Sequence, residues 1–159
     1  MSPLVGQVVA ALRTTGNTLS CAESLTGGLV CAALVDVPGA SDVLIGGVVA
    51  YSPAVKASVL GVPDDVLRAY GTVHPATVEH MAGGVSRLMG STHAVATTGV
   101  AGPGPSEGHP AGTVFVAVLF PGAGSRGEMR VRGLDLSGDR AAVRAGAVDA
   151  VLALLLEVL

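Results

Sequence analysis

Ser24, Tyr51, Lys56, Thr98 and Arg140 are the side chains of this sequence whose types and placement allow joint chemistry. A serine hydroxyl is a poor nucleophile until a base removes its proton, and a lysine serves as that base when burial or a nearby cation lowers its pKa. Lys56 is the only lysine; the other eight of the nine basic side chains are arginine. Where a bare cation suffices arginine serves as well, so the retained amine hints at amine-specific chemistry, although a chance surface lysine fits this clue equally. Tyr51, just upstream, can relay a proton or orient Lys56. Arg140 and Arg144 lie four apart, on one face of the first turns of a helix. Cations there oppose the helix dipole and make an anion partner attractive; pairing of Arg140 with Asp139 or Glu128 is the alternative.

Ser24 falls at the corner of a strand-to-helix turn, Cys21-Ala22-Glu23-Ser24-Leu25-Thr26-Gly27-Gly28. Thr18 to Ala22 has the apolar character of a buried strand, and Leu25, Leu29, Val30, Ala33 and Leu34 recur at helical spacing. The serine therefore has two readings: an N-cap of the helix, or a hydroxyl exposed where backbone N–H groups favour an anion. Gly27 and Gly28 fall inside the expected helix, where each costs about 1 kcal/mol relative to alanine. Two such residues together suggest a close approach to the backbone.

The remaining elements follow from periodicity and punctuation. Ser2-Pro3 opens a helix with Leu4, Val5, Val8, Val9 and Leu12 on one face and Gly16 as its stop. Gly46 to Tyr51 reads as a buried strand, and Ser52-Pro53 starts a helix, carrying Lys56 in its first turn, that Gly61 closes. Pro63-Asp64-Asp65 opens a short helix to Tyr70; His74-Pro75 opens another, ending at Gly90, in which Gly83-Gly84 indicates tight packing. His93 to Thr98 is an apolar strand. Thr97 to Gly112 is too rich in glycine and proline for a helix or ladder and has the length of a functional loop. Thr113 to Phe120 is a strand, Pro121 to Gly127 a turn, and Glu128 to Leu134 an edge-like strand of alternating arginine and apolar residues. Ser137-Gly138-Asp139-Arg140 starts the last helix, with Val143, Ala147, Val148, Val151, Leu152, Leu155 and Leu156 as its stripe.

This alternation predicts an α/β fold, a three-layer α/β/α sandwich around a mostly parallel but mixed sheet. In such sheets ligands collect beyond the carboxyl ends of strands, where Ser24, Tyr51 with Lys56, and Thr98 with its glycine loop are expected. The length of 159 residues fits a single domain over 1–159. A 50% hydrophobic and only 13% charged composition implies extensive burial, part of it against another subunit, so a homo-oligomer, dimer or higher, is expected. A net charge of −3 with four aromatic residues offers no footprint for nucleic acid. The apolar runs are too short to span a bilayer, and no secretory signal is visible, so the expected location is the cytoplasm and no membrane partner is expected. Cys21 and Cys31 lack metal or redox spacing, and His74, His80, His93 and His109 show no metal pairing, so no metal is expected.

Seven segments, in order, resemble the CinA C-terminal-domain family, the nicotinamide mononucleotide amidohydrolases. They are Ala22-Glu23-Ser24-Leu25-Thr26-Gly27-Gly28; Gly47-Val48-Val49-Ala50-Tyr51-Ser52 with Lys56; Leu60-Gly61-Val62; Tyr70-Gly71-Thr72-Val73; Thr98-Gly99-Val100-Ala101-Gly102-Pro103; Pro110-Ala111-Gly112-Thr113-Val114; and Ser137-Gly138-Asp139-Arg140. The resemblance implies hydrolysis of the carboxamide of nicotinamide mononucleotide to nicotinic acid mononucleotide and ammonia, a step of pyridine-nucleotide recycling, with no cofactor. It implies Ser24 as the candidate nucleophile, attacking covalently or orienting a water, with Tyr51 and Lys56 as activating partners. Substrate binding is assigned to Thr26, Gly27, Gly28, Thr98, Gly99, Gly102 and Arg140, the Gly27-Gly28 amides holding the oxyanion and Arg140 gripping phosphate. Larger relatives carry an added N-terminal nucleotide-processing domain, for which this chain has no room. Three positions depart from the family pattern: Leu25 where cysteine is frequent, His74 where serine is common, and His109 where lysine is common. The alternative reading is a non-catalytic nucleotide- or phosphate-binding module, because a glycine-rich, arginine-tipped anion site needs no turnover to make sense.

Overall fold

The computed structural model describes residues 3–122 and 127–159. The expected cap Ser2 and the middle of the turn expected at Pro121 to Gly127 lie outside them. Five strands form one sheet: β1 (Leu19–Glu23), β2 (Leu44–Val49), β3 (His93–Gly99), β4 (Thr113–Phe120) and β5 (Glu128–Asp135). They lie in the order β2-β1-β3-β4-β5. β1 is parallel to β2 and to β3, whereas β4 is antiparallel to both β3 and β5. Four strands thus run one way and only β4 runs back, so the sheet is mixed, as the sequence implies.

Helices cover both faces. On one side lie α1 (Pro3–Thr15), α2 (Leu29–Val35) and α6 (Arg140–Leu156); on the other lie α3 (Pro53–Ser58), α4 (Asp64–Tyr70) and α5 (Pro75–Met89). Side chains alternate across a strand, so the same strands feed two cores. Cys21, Val95 and Val116 join Val5, Leu12, Val30, Val151 and Leu152 on the first side. Ala22, Ala94, Ala96 and Ala117 face Val78, Met81 and Val85 of α5 on the second. That alanine floor lets α5 lie close, and a Cβ on Gly84 would run into the Leu60 carbonyl, which is the tight packing read from the glycine pair.

Three differences from the sequence reading matter for the site. α2 begins at Leu29 and not at Leu25, because Gly27 (φ +59°) and Gly28 (φ +98°) take left-handed conformations that a helix interior excludes. The glycines are therefore not a cost inside a helix but the reason that the chain turns before it. β2 runs from Leu44 to Val49, two residues earlier than expected, and as an edge strand it leaves Ile45 and Val49 about half exposed rather than buried. Tyr51 lies just past its end.

The register gathers the site. Glu23 pairs with Val49 on one side and Thr97 on the other, so β1 and β2 finish level at one edge of the sheet and β3 runs two residues further. Ser24, Ala50-Tyr51 and the last two residues of β3, Thr98-Gly99, therefore come side by side at that edge.

Candidate active site

Lys56 is buried, with only 1% of its surface exposed, and its Nζ lies 3.0 Å from Ser24 Oγ. The sequence places it there through Ser52, whose hydroxyl caps α3 by accepting from the Val55 amide, with Pro53 as the first helical residue. The amine is aimed by main chain: it donates to the Ala50 carbonyl at 2.7 Å and, at 3.5 Å, to that of Tyr51. Burial lowers its pKa from 10.5 to about 8, against a smaller upward pull from the charge of Glu107. The lowered pKa makes a neutral amine accessible near neutral pH, the form that could accept a proton from Ser24.

Ser24 is not a helix cap. Its amide donates to the Thr97 carbonyl at 3.0 Å, and its hydroxyl faces Lys56. The α2 amides are taken instead by Glu23, a buried side chain whose carboxylate accepts from Gly28, Val30 and Cys31 at 2.9–3.0 Å. Arg144 grips the same turn from the carbonyl side, through Leu25 (2.9 Å) and Thr26 (2.8 Å). The segment Ser24 to Gly28 is thus held by an anion on its amides and a cation on its carbonyls.

This arrangement corrects the oxyanion assignment. The Gly28 amide already donates to Glu23 and the Gly27 amide to the Ser24 carbonyl at 3.1 Å, so neither is available. The Leu25 amide donates to no protein group among the described residues, and Leu25 lines the cavity over Ser24. Thr26 is also displaced from a substrate role: it is fully buried, its hydroxyl pairing with Thr97 Oγ1 at 2.8 Å. Thr98 is buried as well and donates to the Thr72 carbonyl at 2.6 Å, which leaves its side chain outside the cavity. Both hydroxyls support the walls of the site instead of facing its contents.

Tyr51 is 59% exposed, and its hydroxyl accepts from Arg140 Nη2 at 2.9 Å rather than bonding Lys56 or Ser24. Arg140 also donates to the Gly102 carbonyl at 2.7 Å, tying the long loop to the start of α6. It meets no carboxylate among the described residues. Asp139 caps α6 through the Ala142 amide, and the alternative pairing of Arg140 with Asp139 or Glu128 is not found among the described residues. The guanidinium charge stays uncompensated at the helix N-terminus, which suits an anion.

A cavity of about 350 Å³ lies over these groups, lined by Ser24, Leu25, Tyr51, Arg140 and the loop from Gly99 to Glu107. Of the glycines expected to bind substrate, Gly99 and Gly102 stand in its wall; Gly27 and Gly28 do not. One lining residue escaped the sequence reading. Glu107, in the loop, accepts from the Thr72 amide at 2.7 Å and from the Thr72 hydroxyl. Burial pushes its carboxyl up, but the bonds from Thr72 and Val73 and the Lys56 charge outweigh that and hold it below the usual range. Glycine and proline dominate this loop, so no periodicity could single the residue out; its acidity amid uncharged neighbours was the available signal. His74 takes the cap position of α5, its Nδ1 accepting from Ala76, and stacks on Tyr70.

With this geometry in view, comparison with known proteins is decisive on family. A model of the CinA C-terminal domain matches residues 1–159. The chain belongs to this family. A "CinA-like protein" of Frankia casuarinae is 45% identical over 149 residues, 94% of this chain and 33% of the relative; one of Myxococcus xanthus is 43% identical over 151 residues, 93% and 34%. The CinA C-terminal domain described here thus spans about a third of the length of the curated relatives it matches. Among solved structures, a "competence-damaged protein (CinA) superfamily protein" of Klebsiella pneumoniae superposes with a TM-score of 0.91 at 37% identity, covering 97% of this chain and 94% of that one. One of Escherichia coli gives 0.92 at 30% identity, covering 98% and 88%. No helix among the described residues of this CinA domain is long and apolar enough to cross a membrane.

Proposed function

We propose that this CinA domain hydrolyses the carboxamide of nicotinamide mononucleotide, releasing ammonia and nicotinic acid mononucleotide. The observation that carries the reading is the 3.0 Å contact between a buried, pKa-lowered Lys56 amine and Ser24 at the floor of a cavity. In this mechanism neutral Lys56 takes the hydroxyl proton as Ser24 Oγ bonds the carboxamide carbon. The negative charge that develops on the amide oxygen falls to the free Leu25 amide. Lys56 then returns its proton to the departing nitrogen, ammonia leaves, and water cleaves the resulting ester by the same exchange. Tyr51 acts through Arg140, holding the guanidinium where it meets the substrate phosphate by its forked N–H groups.

The cavity volume suits one mononucleotide. Gly99 and Gly102 allow the substrate to approach the loop backbone. We further propose a homo-oligomer, supported by the exposed Ile45 and Val49 on edge strand β2. The function is tested by incubating the pure protein with nicotinamide mononucleotide and following ammonia and the acid product. Stoichiometric release of both supports it. Tight binding of the nucleotide with no product over long incubation would replace it with the binding-module reading.

A further inference from the structure

Glu107 and Arg140 are the only charged side chains lining the cavity among the described residues, and amide hydrolysis alone gives a carboxylate there no task. Its seat is built. Both oxygens bond Thr72, a Cβ on Gly71 would collide with the carboxylate, and Glu107 itself holds φ +51°, a conformation that residues with a side chain seldom adopt.

The charges around it say what it is for. Lys56 lies beneath the floor and Arg140 in the wall, so a substrate with a positive ring meets two cations on entry. A nicotinamide ring joined to ribose through its nitrogen is such a cation. We propose that Glu107 is a specificity residue that reads positive charge on the amide-bearing ring, so that the site selects a substrate combining a cationic ring with an anionic phosphate. This rests on the amidase reading above for the place of the ring over Ser24. A loop anchor alone would need only an acceptor for Thr72; an ionised carboxylate adds a field that distinguishes charged from neutral rings.

The test is binding, not turnover, so that its failure is separable from failure of the amidase reading, which wild-type ammonia release reports. On Ser24→Ala protein, calorimetry compares nicotinamide mononucleotide with its carbon-linked neutral analogue, in which a benzamide ring replaces the pyridinium. Adding Glu107→Gln, which keeps an acceptor for Thr72, weakens the cationic nucleotide by about fivefold, as befits an exposed charge. The neutral analogue changes less than about twofold, and high salt shrinks the difference. Thr72→Val, which loosens the anchor and keeps the charge, weakens both nucleotides alike. Equal weakening of both by Glu107→Gln, no weakening of either, or no binding of either nucleotide overturns the proposal.

Discussion

Arg140 Nη2 donates to the Tyr51 hydroxyl across 2.9 Å, joining residues 89 positions apart at the mouth of the cavity. The tyrosine is thereby a support for the arginine, and its own O–H remains free to donate. Arg140→Ala is expected to lower kcat/KM for the phosphorylated substrate by roughly tenfold or more, through KM, since the proposed charge-assisted contact with phosphate is lost. Nicotinamide riboside, which lacks the phosphate, should be a poor substrate of the wild type and lose little further. Tyr51→Phe should reproduce a milder form of the Arg140 defect; a loss confined to kcat with KM unchanged would instead return Tyr51 to proton transfer.

The lowered pKa of Lys56, about 8, sets the pH dependence. The proposed mechanism needs the neutral amine, so kcat/KM should rise with pH through about 8 and level off above it. Lys56→Arg keeps the charge but cannot release a proton, and its activity should fall to background. A pH–rate profile of ammonia release checks both; wild-type activity in Lys56→Arg removes the lysine from the mechanism.

The same shift makes Lys56 a liability for stability. Unfolded chain binds a proton to this amine up to about 10.5, whereas folded protein releases it near 8, so the unfolded state holds more protons between these values and stability rises with pH across that window. Below about pH 8 the full penalty applies, about 3 kcal/mol for a depression of this size. Lys56→Met, similar in length and uncharged, should therefore be inactive yet more stable at pH 7, with a Tm a few degrees higher. Thermal melts of both proteins at pH 7 and 9.5 provide the check, and the gap between them should narrow at the higher pH.

Glu23 and Arg144 hold the Ser24 turn from opposite sides, and each should matter to activity without touching substrate. Glu23→Ala leaves the buried amide of Val30 and the half-buried amides of Gly28 and Cys31 unpaired and should cost about 3 kcal/mol in denaturant unfolding. Arg144→Lys cannot supply the paired bonds to Leu25 and Thr26, and should lower kcat with little change in KM because it moves Ser24 and not the substrate groups.

For assembly, Ile45→Glu on the exposed edge of β2 should convert the proposed oligomer to monomer in light scattering while leaving circular dichroism unchanged. A monomeric wild type would dismiss the oligomer.

Much of this was legible from residue order. Strands punctuated by Gly and Pro revealed the layered α/β fold, and placing Ser24, Tyr51 and Lys56 after strand ends brought them to one edge because the parallel register of β1, β2 and β3 does so. What stayed hidden depends on long-range polar contacts. The sequence could not say that Glu23 would occupy the α2 amides, which removes the oxyanion role from Gly27 and Gly28, nor that Thr98 would point at Thr72. A hydroxyl next to a strand end can face a ligand or a neighbouring carbonyl, and local pattern is identical in the two cases. Glu107 was hidden for another reason: its effect comes from contact with residues 35 positions away.

The central claim, that Ser24 is the nucleophile activated by Lys56, is tested most directly by the rate of ammonia release from nicotinamide mononucleotide by Ser24→Ala beside wild type. The account predicts release by the wild type and a loss of at least about a thousandfold in the variant, whose binding of the nucleotide is retained. Release by Ser24→Ala at the wild-type rate would contradict it.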